Sequence, residues 1–198
     1  TGFYGPQQCG LFFMAVGKSV SSKAVFCIDA PVQPQFKRIS FFMALFTTLY
    51  SGSSGNCALI LHEGKYLLID MGKSCRTTLN ALRSLGLAVS DCEGILITHE
   101  HSDHIHGVGV LARKYGMDLY ANEATWKAME GTKYLGKVDD AQKHIFEMGK
   151  TKTFGDIDIE SFGVSHDAAA PQFYRLMKDG KSFVILTDTG YVRDRLAG

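Results

Sequence analysis

The feature that most constrains the fold of this chain is a short apolar segment that ends in a cluster of histidines. Residues 94–98 are predicted to form a buried strand, and four of the seven histidines follow within residues 99–106. Polar clusters directly after a strand lie at its carboxyl end, a favoured place for functional sites in α/β sheets. The sequence therefore predicts a mixed α/β domain with a site at one sheet edge.

The chain from Met43 onward alternates between strand and helix patterns. Because some strands are joined by tight turns and others by helices, we expect an α/β layered fold rather than a helical bundle or an all-β barrel. Besides 94–98, strands are predicted at 44–50, 56–62, 65–69, 118–121, 157–162, 172–177 and 182–187. Helices are predicted at 74–85, 105–115 and 123–129.

The two ends of the sequence differ from this pattern. Residues 1–42 hold three of the four prolines and keep no helical or strand period for long. We expect Met43 to be the natural start, with 1–42 a non-native or weakly ordered extension and 43–198 the domain; the alternative is a real, weakly ordered extension. A helix-like segment has only begun when the sequence stops at Gly198, so the domain is expected to be a fragment.

The composition excludes several classes of protein. Hydrophobic residues make up 45% and charged residues 21%, which argues against disorder and coiled coil. The 21 basic and 20 acidic residues balance, so no global charge points to a nucleic acid or a membrane. Five cysteines without a CxxC spacing disfavour a disulfide framework. The apolar stretches are too short to span a bilayer. We therefore expect a cytoplasmic protein without a membrane partner.

The histidine cluster has the pattern of a metal-binding motif. His99 and His101 are spaced to converge on one ion, while Asp103 and His104 can face a second. Nitrogen and carboxylate ligands without a thiolate suit zinc, manganese or iron and argue against a closed structural zinc site. The alternative is a histidine-rich surface loop that picks up metal incidentally.

Three further residues stand at the ends of predicted strands: Asp70, His166 and Asp188. Alone, each has an ordinary interpretation as a helix cap or a packed side chain. Together with the cluster, His166 and Asp188 would complete a dinuclear site in which Asp188 bridges both ions. Asp70, and Asp167 beside His166, are predicted to orient ligands by hydrogen bonding rather than to bind metal.

The motif at 99–104, with Asp70, His166 and Asp188 in that order, resembles the metallo-β-lactamase-fold hydrolases over 43–198. Longer strings resemble one bacterial subgroup of that family, the YycJ proteins, also called WalJ or VicX. These strings are residues 45–56 with Ser-Gly-Ser-Ser-Gly-Asn, 121–129, 162–169 and 187–192.

The resemblance implies a four-layer αββα sandwich with two divalent cations, zinc or manganese, at one edge of the paired sheets. His99, His101 and His166 would hold the first metal, Asp103 and His104 the second, and Asp188 would bridge them. Family members use a later histidine on the second metal, but His166 is the last histidine here. The sandwich is therefore expected to be incomplete at its C-terminal end. No organic cofactor is expected, and the oligomeric state is left open.

The function implied by the subgroup is hydrolysis of DNA from the 5′ end through a metal-bridging hydroxide, with Asp103 and Asp188 as catalytic carboxylates. DNA is the expected partner, although the basic residues of the middle stretch are interleaved with acidic ones. His106 could protonate the leaving group or be an ordinary helix-surface histidine. Ser53, Ser54 and Asn56 could approach a phosphate or form a plain hairpin connection.

Two other functions remain open at this stage. A thioesterase or lactonase of the same fold would use the same ligands and is favoured by a narrow apolar pocket. A regulatory protein that binds metal without catalysis would also keep them. A drug-hydrolysing β-lactamase is disfavoured, because the zinc enzymes of that name commonly lack a histidine after the aspartate matched by Asp103.

Overall fold

The computed structural model describes residues 44–188 and three strands before them. Those strands are β1 (Leu11–Val16), β2 (Ala24–Ile28) and β3 (Ile39–Phe41). The later strands are β4 (Ala44–Tyr50), β5 (Cys57–His62), β6 (Lys65–Ile69), β7 (Cys92–Leu96), β8 (Leu119–Ala121), β9 (Lys143–Ile145), β10 (Thr151–Phe154), β11 (Ile157–Gly163), β12 (Gln172–Lys178) and β13 (Lys181–Thr187). The helices are α1 (Cys75–Ser84), α2 (Ser102–Ile105), α3 (Val108–Tyr115) and α4 (Glu123–Met129), with 3₁₀ turns at Val89–Asp91 and Asp140–Gln142.

The strands form two sheets. The seven-stranded sheet has the order β3-β4-β5-β6-β7-β8-β9, antiparallel up to β6 and parallel from β6 to β9. The six-stranded sheet has the order β10-β11-β12-β13-β1-β2 and is antiparallel throughout. Because β6 and β7 are parallel neighbours, their carboxyl ends meet at one edge of the molecule.

The two sheets pack face to face, and helices cover the outer face of the seven-stranded sheet. Side chains from both sheets fill the space between them, among them Phe46, Ile60, Leu67, Ile159, Tyr174 and Ile185. A second core lies between the helices and the seven-stranded sheet, and includes Leu68, Leu79, Ile95, Leu111 and Trp126. The predicted layered α/β architecture is confirmed. The helix-like segment near residue 198 lies outside the described residues.

The helix predicted at about 105–115 is present as α3, Val108–Tyr115, but it starts later than predicted, because a break at residues 106–107 separates it from the short helix α2. Gly107 lies at the break, and its N–H donates to the carbonyl of Met71 at 2.9 Å. A Cβ at Gly107 would lie 2.4 Å from the carbonyl oxygen of Lys73, so the backbones meet closely here. This tertiary contact, which no local pattern reveals, ends the first helical turn.

The strand predicted at 94–98 is shifted toward the N-terminus. β7 spans Cys92–Leu96, and Thr98 leaves the ladder because its N–H donates to the Asp70 carboxylate at 2.8 Å. Strands β9 and β10 fall in a polar stretch where the sequence indicated no strand. Strands β1, β2 and β3 fall within 1–42, for which no strand was expected, while the division of the chain at Met43 stays a prediction.

Two general expectations concern cysteines and membranes. Cys57, Cys75 and Cys92, the cysteines of the continuous described region, are free thiols. Among the described residues, no helix combines the length and apolar character needed to cross a membrane.

Candidate metal centre

The histidine loop starts where β6 and β7 end side by side. Asp70 follows β6 in a left-handed conformation with φ of 58°, and its N–H donates to the carbonyl of Leu96 at 2.9 Å. Its carboxylate accepts from both the N–H of Thr98 at 2.8 Å and the Thr98 hydroxyl at 2.7 Å. Asp70 therefore fixes the point at which the chain leaves β7 and enters the loop.

The first ligand group consists of three imidazoles. His101 Nδ1 lies 3.1 Å from His99 Nε2 and 3.3 Å from His166 Nε2. Nitrogen ligands around a tetrahedral zinc with bonds of about 2.0–2.1 Å are separated by roughly 3.3 Å. The described side chains therefore already have the spacing that one cation requires, although His166 is 65 residues away from His101 in the sequence.

A second group overlaps the first. His104 Nε2 lies 2.7 Å from Asp188 Oδ2, and His99 Nε2 lies 3.8 Å from the same oxygen. Asp188 thus stands between the two groups of nitrogen atoms. Its other oxygen, Oδ1, is buried and has no hydrogen-bond partner among the described residues. A buried carboxylate oxygen without a partner fits a site built to hold a cation.

Asp103 lies at the edge of the second group. Its Oδ2 is 3.6 Å from His104 Nε2 and accepts from Asn56 Nδ2 at 3.2 Å. Two groups of three ligands include His99, and in each the donor atoms lie within 4.8 Å of one another. Among the described residues, Asp103 belongs to neither group. Its side chain is half-buried, so it borders the site from the solvent side.

The electrostatics of the cluster separate the histidines into two kinds. Burial and the neighbouring imidazoles lower the pKa of His99 strongly, so that its ring stays neutral and can offer a lone pair. Burial also opposes the charged form of His104, but the carboxylates of Asp70 and Asp188 outweigh it and raise its pKa to about 10. For Asp188, burial raises the pKa, but hydrogen bonding to His104 outweighs it and the pKa is lowered. Positive charge is therefore favoured between Asp70 and Asp188.

Several sequence-predicted residues are not gathered into this cluster. His106 is exposed, with its ring centroid 5.3 Å from that of Tyr134. Asp167 is exposed, and within the described region its carboxylate affects the pKa of His166 through charge alone. Ser53 and Ser54 are exposed on the loop between β4 and β5.

Asn56, which the sequence placed with the two serines, is instead 1% exposed. Its Oδ1 accepts from Gly52 N–H at 3.0 Å, and its Nδ2 lies 3.2 Å from Asp103 and 3.0 Å from His104 Nε2. An amide committed to these contacts orients the ligand loop and is not free for a substrate.

Sequence reasoning missed three residues that shape the site. Thr98 joins Asp70 to His99, since its hydroxyl also lies 2.9 Å from His99 Nδ1. Lys73 Nζ donates to Ser54 Oγ at 2.7 Å. Glu100, between two histidines, accepts from the N–H of Ala169 at 2.8 Å. Of these three residues, Thr98 alone had a signal in the sequence, because it stands at the end of a predicted strand.

Comparison with known proteins gives both a family and close relatives. The family model of the metallo-beta-lactamase superfamily matches residues 50–197. The exodeoxyribonuclease WalJ of Streptococcus pneumoniae (strain D39) is 70% identical over 153 residues, which are 77% of this chain and 57% of that protein. The exodeoxyribonuclease YycJ of Bacillus anthracis is 51% identical with the same coverage. The chain thus spans somewhat more than half the length of these curated relatives.

Solved structures show the same fold. A metallo-beta-lactamase from Cronobacter sakazakii aligns with a TM-score of 0.60 at 17% identity, over 77% of this chain and 61% of that one. The resemblance inferred from the motif and strand ends is confirmed by these findings. The chain belongs to the metallo-beta-lactamase superfamily.

Proposed function

We propose that this chain carries the metal centre of a hydrolase that cleaves phosphodiester bonds in DNA, removing nucleotides from the 5′ end. The observation that carries the proposal is the convergence of four imidazoles and the Asp188 carboxylate at one sheet edge. The names of WalJ and YycJ, both exodeoxyribonucleases, support DNA as the substrate.

Two divalent cations, zinc or manganese, are the proposed cofactors. His99, His101 and His166 would hold one of them, His104 and Asp103 the other, and Asp188 both. The buried, unpartnered Oδ1 of Asp188 supports this assignment within the described residues. When bound, the cations would supply a nucleophile at neutral pH and offset negative charge on the attacked phosphoryl group.

The protein's own contribution is to hold two carboxylates in fixed positions at the metal centre. Asn56 Nδ2 donates to Asp103 Oδ2, and Asp188 Oδ2 lies 2.7 Å from the proposed ligand nitrogen His104 Nε2. In the proposed reaction these carboxylates would orient the attacking water at the metal centre. His106 is left out of the proposed machinery, because its exposed ring packs against Tyr134.

The loop between β4 and β5 is the proposed contact to a substrate phosphate. It is fixed to the ligand loop, since Asn56 N–H donates to the Asp103 carbonyl at 2.7 Å. Ser53 and Ser54 are exposed on this loop, and Lys73 adds a positive charge beside Ser54. Two hydroxyls and an ammonium group on a loop that is bonded to the ligand loop suit a phosphodiester backbone.

A thioesterase or lactonase is not favoured by a specific feature of the described residues. An open cavity of about 510 Å³ borders the segment before β12, but Glu123, Lys127 and Glu147 contribute charged groups to its lining. None of the residues that line it is a proposed metal ligand, so it is not a pocket for an acyl substrate at the metal centre.

The experiment uses the purified chain with duplex DNA labelled at either end, in Mn²⁺ or Zn²⁺. We expect metal-dependent release of nucleotides from the 5′ end, lost in His101→Ala. Ser102→Ala, which changes an exposed residue of the same loop, is the matched control.

A thioester and a lactone are assayed in parallel. Intact DNA together with a thioester cleaved by the wild type and not by His101→Ala would contradict the nuclease proposal. Zinc binding is measured on the same samples, because the chain spans 57% of WalJ. A chain that binds zinc no better than His101→Ala would contradict the metal centre itself.

A further inference from the structure

We infer that Glu100 is a positioning residue that locks the segment carrying His166 onto the loop carrying His99 and His101. The inference rests on the metal centre proposed above. It assigns a role to a side chain that lies between two proposed ligands and is itself outside the groups of candidate ligands around His99.

The geometry of Glu100 is that of a clamp between two distant segments. Its Oε1 accepts from the N–H of Ala169 at 2.8 Å, a contact between residues 69 positions apart. Its Oε2 is buried and has no partner among the described residues. Burying one carboxylate oxygen without a partner is unfavourable. The hydrogen bond between the other oxygen and the Ala169 N–H offsets this cost and holds the side chain in place.

His166 depends on its backbone for its position. In the described region, the one hydrogen-bond contact of its side chain is with another proposed ligand, His101 Nδ1, at 3.3 Å. Its ring meets those of His99 and His101 edge-on, with centroids 4.8 and 5.0 Å apart. No carboxylate or carbonyl orients its second ring nitrogen there, unlike His104, which faces Asp70.

The segment between β11 and β12 is anchored on two sides. Asn122 Nδ2 donates to the carbonyl of Ala170 at 2.8 Å, which ties the segment to the N-terminus of α4. Glu100 ties the adjacent residue, Ala169, to the histidine loop. Without Glu100, the anchor at α4 remains, and so does the bond from the Gln172 N–H to the Thr98 carbonyl at 3.0 Å, but the direct tie between residue 169 and the histidine loop is lost.

The test measures zinc affinity by competition with a chromophoric chelator, and the Co²⁺ absorption spectrum as a report of ligand number. We expect Glu100→Ala to weaken zinc binding by about 10–100-fold, as for other groups that orient metal ligands, and to alter the Co²⁺ spectrum. Glu100→Gln should stay close to wild type, because its amide oxygen can still accept from Ala169 N–H. Glu147→Ala is the matched control, since Glu147 Oε1 accepts from the N–H of Glu123 at 3.0 Å in the same way.

Wild-type zinc affinity in Glu100→Ala would overturn the inference. A loss of zinc affinity in Glu100→Gln equal to that in Glu100→Ala would also overturn it, because it would indicate that the charge of Glu100 matters rather than its position. His101→Ala separates this from the proposed function: if it also binds zinc normally, the metal centre is wrong. Ala169→Pro removes the donor and leaves Glu100 in place, so it tests the clamp if Glu100→Ala fails to fold. Its control is Ala170→Pro, which keeps the carbonyl that Asn122 binds; normal zinc binding by Ala169→Pro would overturn the inference.

Discussion

His104 lies between two buried carboxylates, with Nδ1 2.7 Å from Asp70 Oδ2 and Nε2 2.7 Å from Asp188 Oδ2. Asp70 cannot rotate away, because Thr98 donates to both of its oxygens. Asp70 therefore accepts the proton on Nδ1, and Nε2 is the nitrogen that faces Asp188 and the candidate metal centre. One residue at the end of β6 thereby selects which nitrogen of His104 can bind a cation.

Replacing Asp70 by Asn should weaken zinc binding by about 10–100-fold, because the amide group can donate to His104 Nδ1 and favour the wrong tautomer. Isothermal titration with Zn²⁺ measures the effect. Asp91→Asn is the control, since it removes a carboxylate that pairs with Lys65 away from the centre. Equal affinities in wild type and Asp70→Asn would show that the hydrogen bond does not orient the ligand.

Zinc should stabilise the folded chain, because a cation that binds only the folded state adds free energy of unfolding. At a free zinc concentration of 100 times Kd the gain is about 2.7 kcal/mol. Urea unfolding with zinc, and with a chelator, measures it. His101→Ala should show a much smaller gain at the same zinc concentration; an equal gain would place the stabilising ion elsewhere.

The parts of the fold that the sequence predicted depend on local signals. Ser74 caps α1 by accepting from Thr77 N–H at 3.2 Å, and Gly86 adopts a φ of 74° just after the helix end. The turn Glu63–Gly64 joins β5 to β6 with both residues at positive φ. Capping and turn chemistry act within a few residues and are therefore visible in a sequence.

The parts that it did not predict depend on contacts between distant segments. Thr98 leaves the strand ladder because Asp70, 28 residues earlier, takes its N–H. Asn56 is drawn inside by Asp103 and His104 and not toward solvent. The strand-end positions of the predicted ligands could be inferred, whereas the side chains that hold those ligands in place required the tertiary structure.

Gly72 should tolerate no side chain. A Cβ there would lie 1.6 Å from the carbonyl oxygen of Asp103, a backbone atom that cannot rotate aside. We expect Gly72→Ala to lower the free energy of unfolding by about 3 kcal/mol or more. Gly86→Ala is the control. Its φ of +74° is strained for alanine, but no atom lies within 4 Å of the added Cβ. We expect this change to lower the free energy of unfolding by about 1–2 kcal/mol. Urea unfolding compares the two, and equal losses would contradict the close approach.

Asp156 should make stability depend on pH at the end of the sandwich opposite the metal centre. Its hydrogen bond from Lys178 at 2.6 Å, with a further contact to His62, lowers its pKa. A lowered pKa stabilises the folded state above the unfolded-state value of about 3.9, and this is lost as pH falls through the folded-state value. Asp156→Asn should therefore destabilise the chain at pH 7, with a difference that shrinks toward pH 3. Asp179→Asn, in an exposed turn, is the control; a pH-independent difference would contradict the assignment.

Lys73 should contribute one phosphate contact if the loop between β4 and β5 binds DNA. Each neutralised phosphate adds about 0.9 to the slope of log affinity against log salt, so Lys73→Ala should lower that slope by about 1 and weaken binding equally for all sequences. Fluorescence anisotropy with labelled duplex DNA at several salt concentrations, without added divalent metal, measures both effects. Lys65→Ala is the matched control. Lys65 is the first residue of β6, whereas Asp70 follows the last residue of that strand. The Lys65 ammonium group therefore lies at the end of β6 away from the metal centre. If Lys65→Ala lowers the slope as much as Lys73→Ala, DNA does not bind preferentially at the face that carries His99 and Asp103.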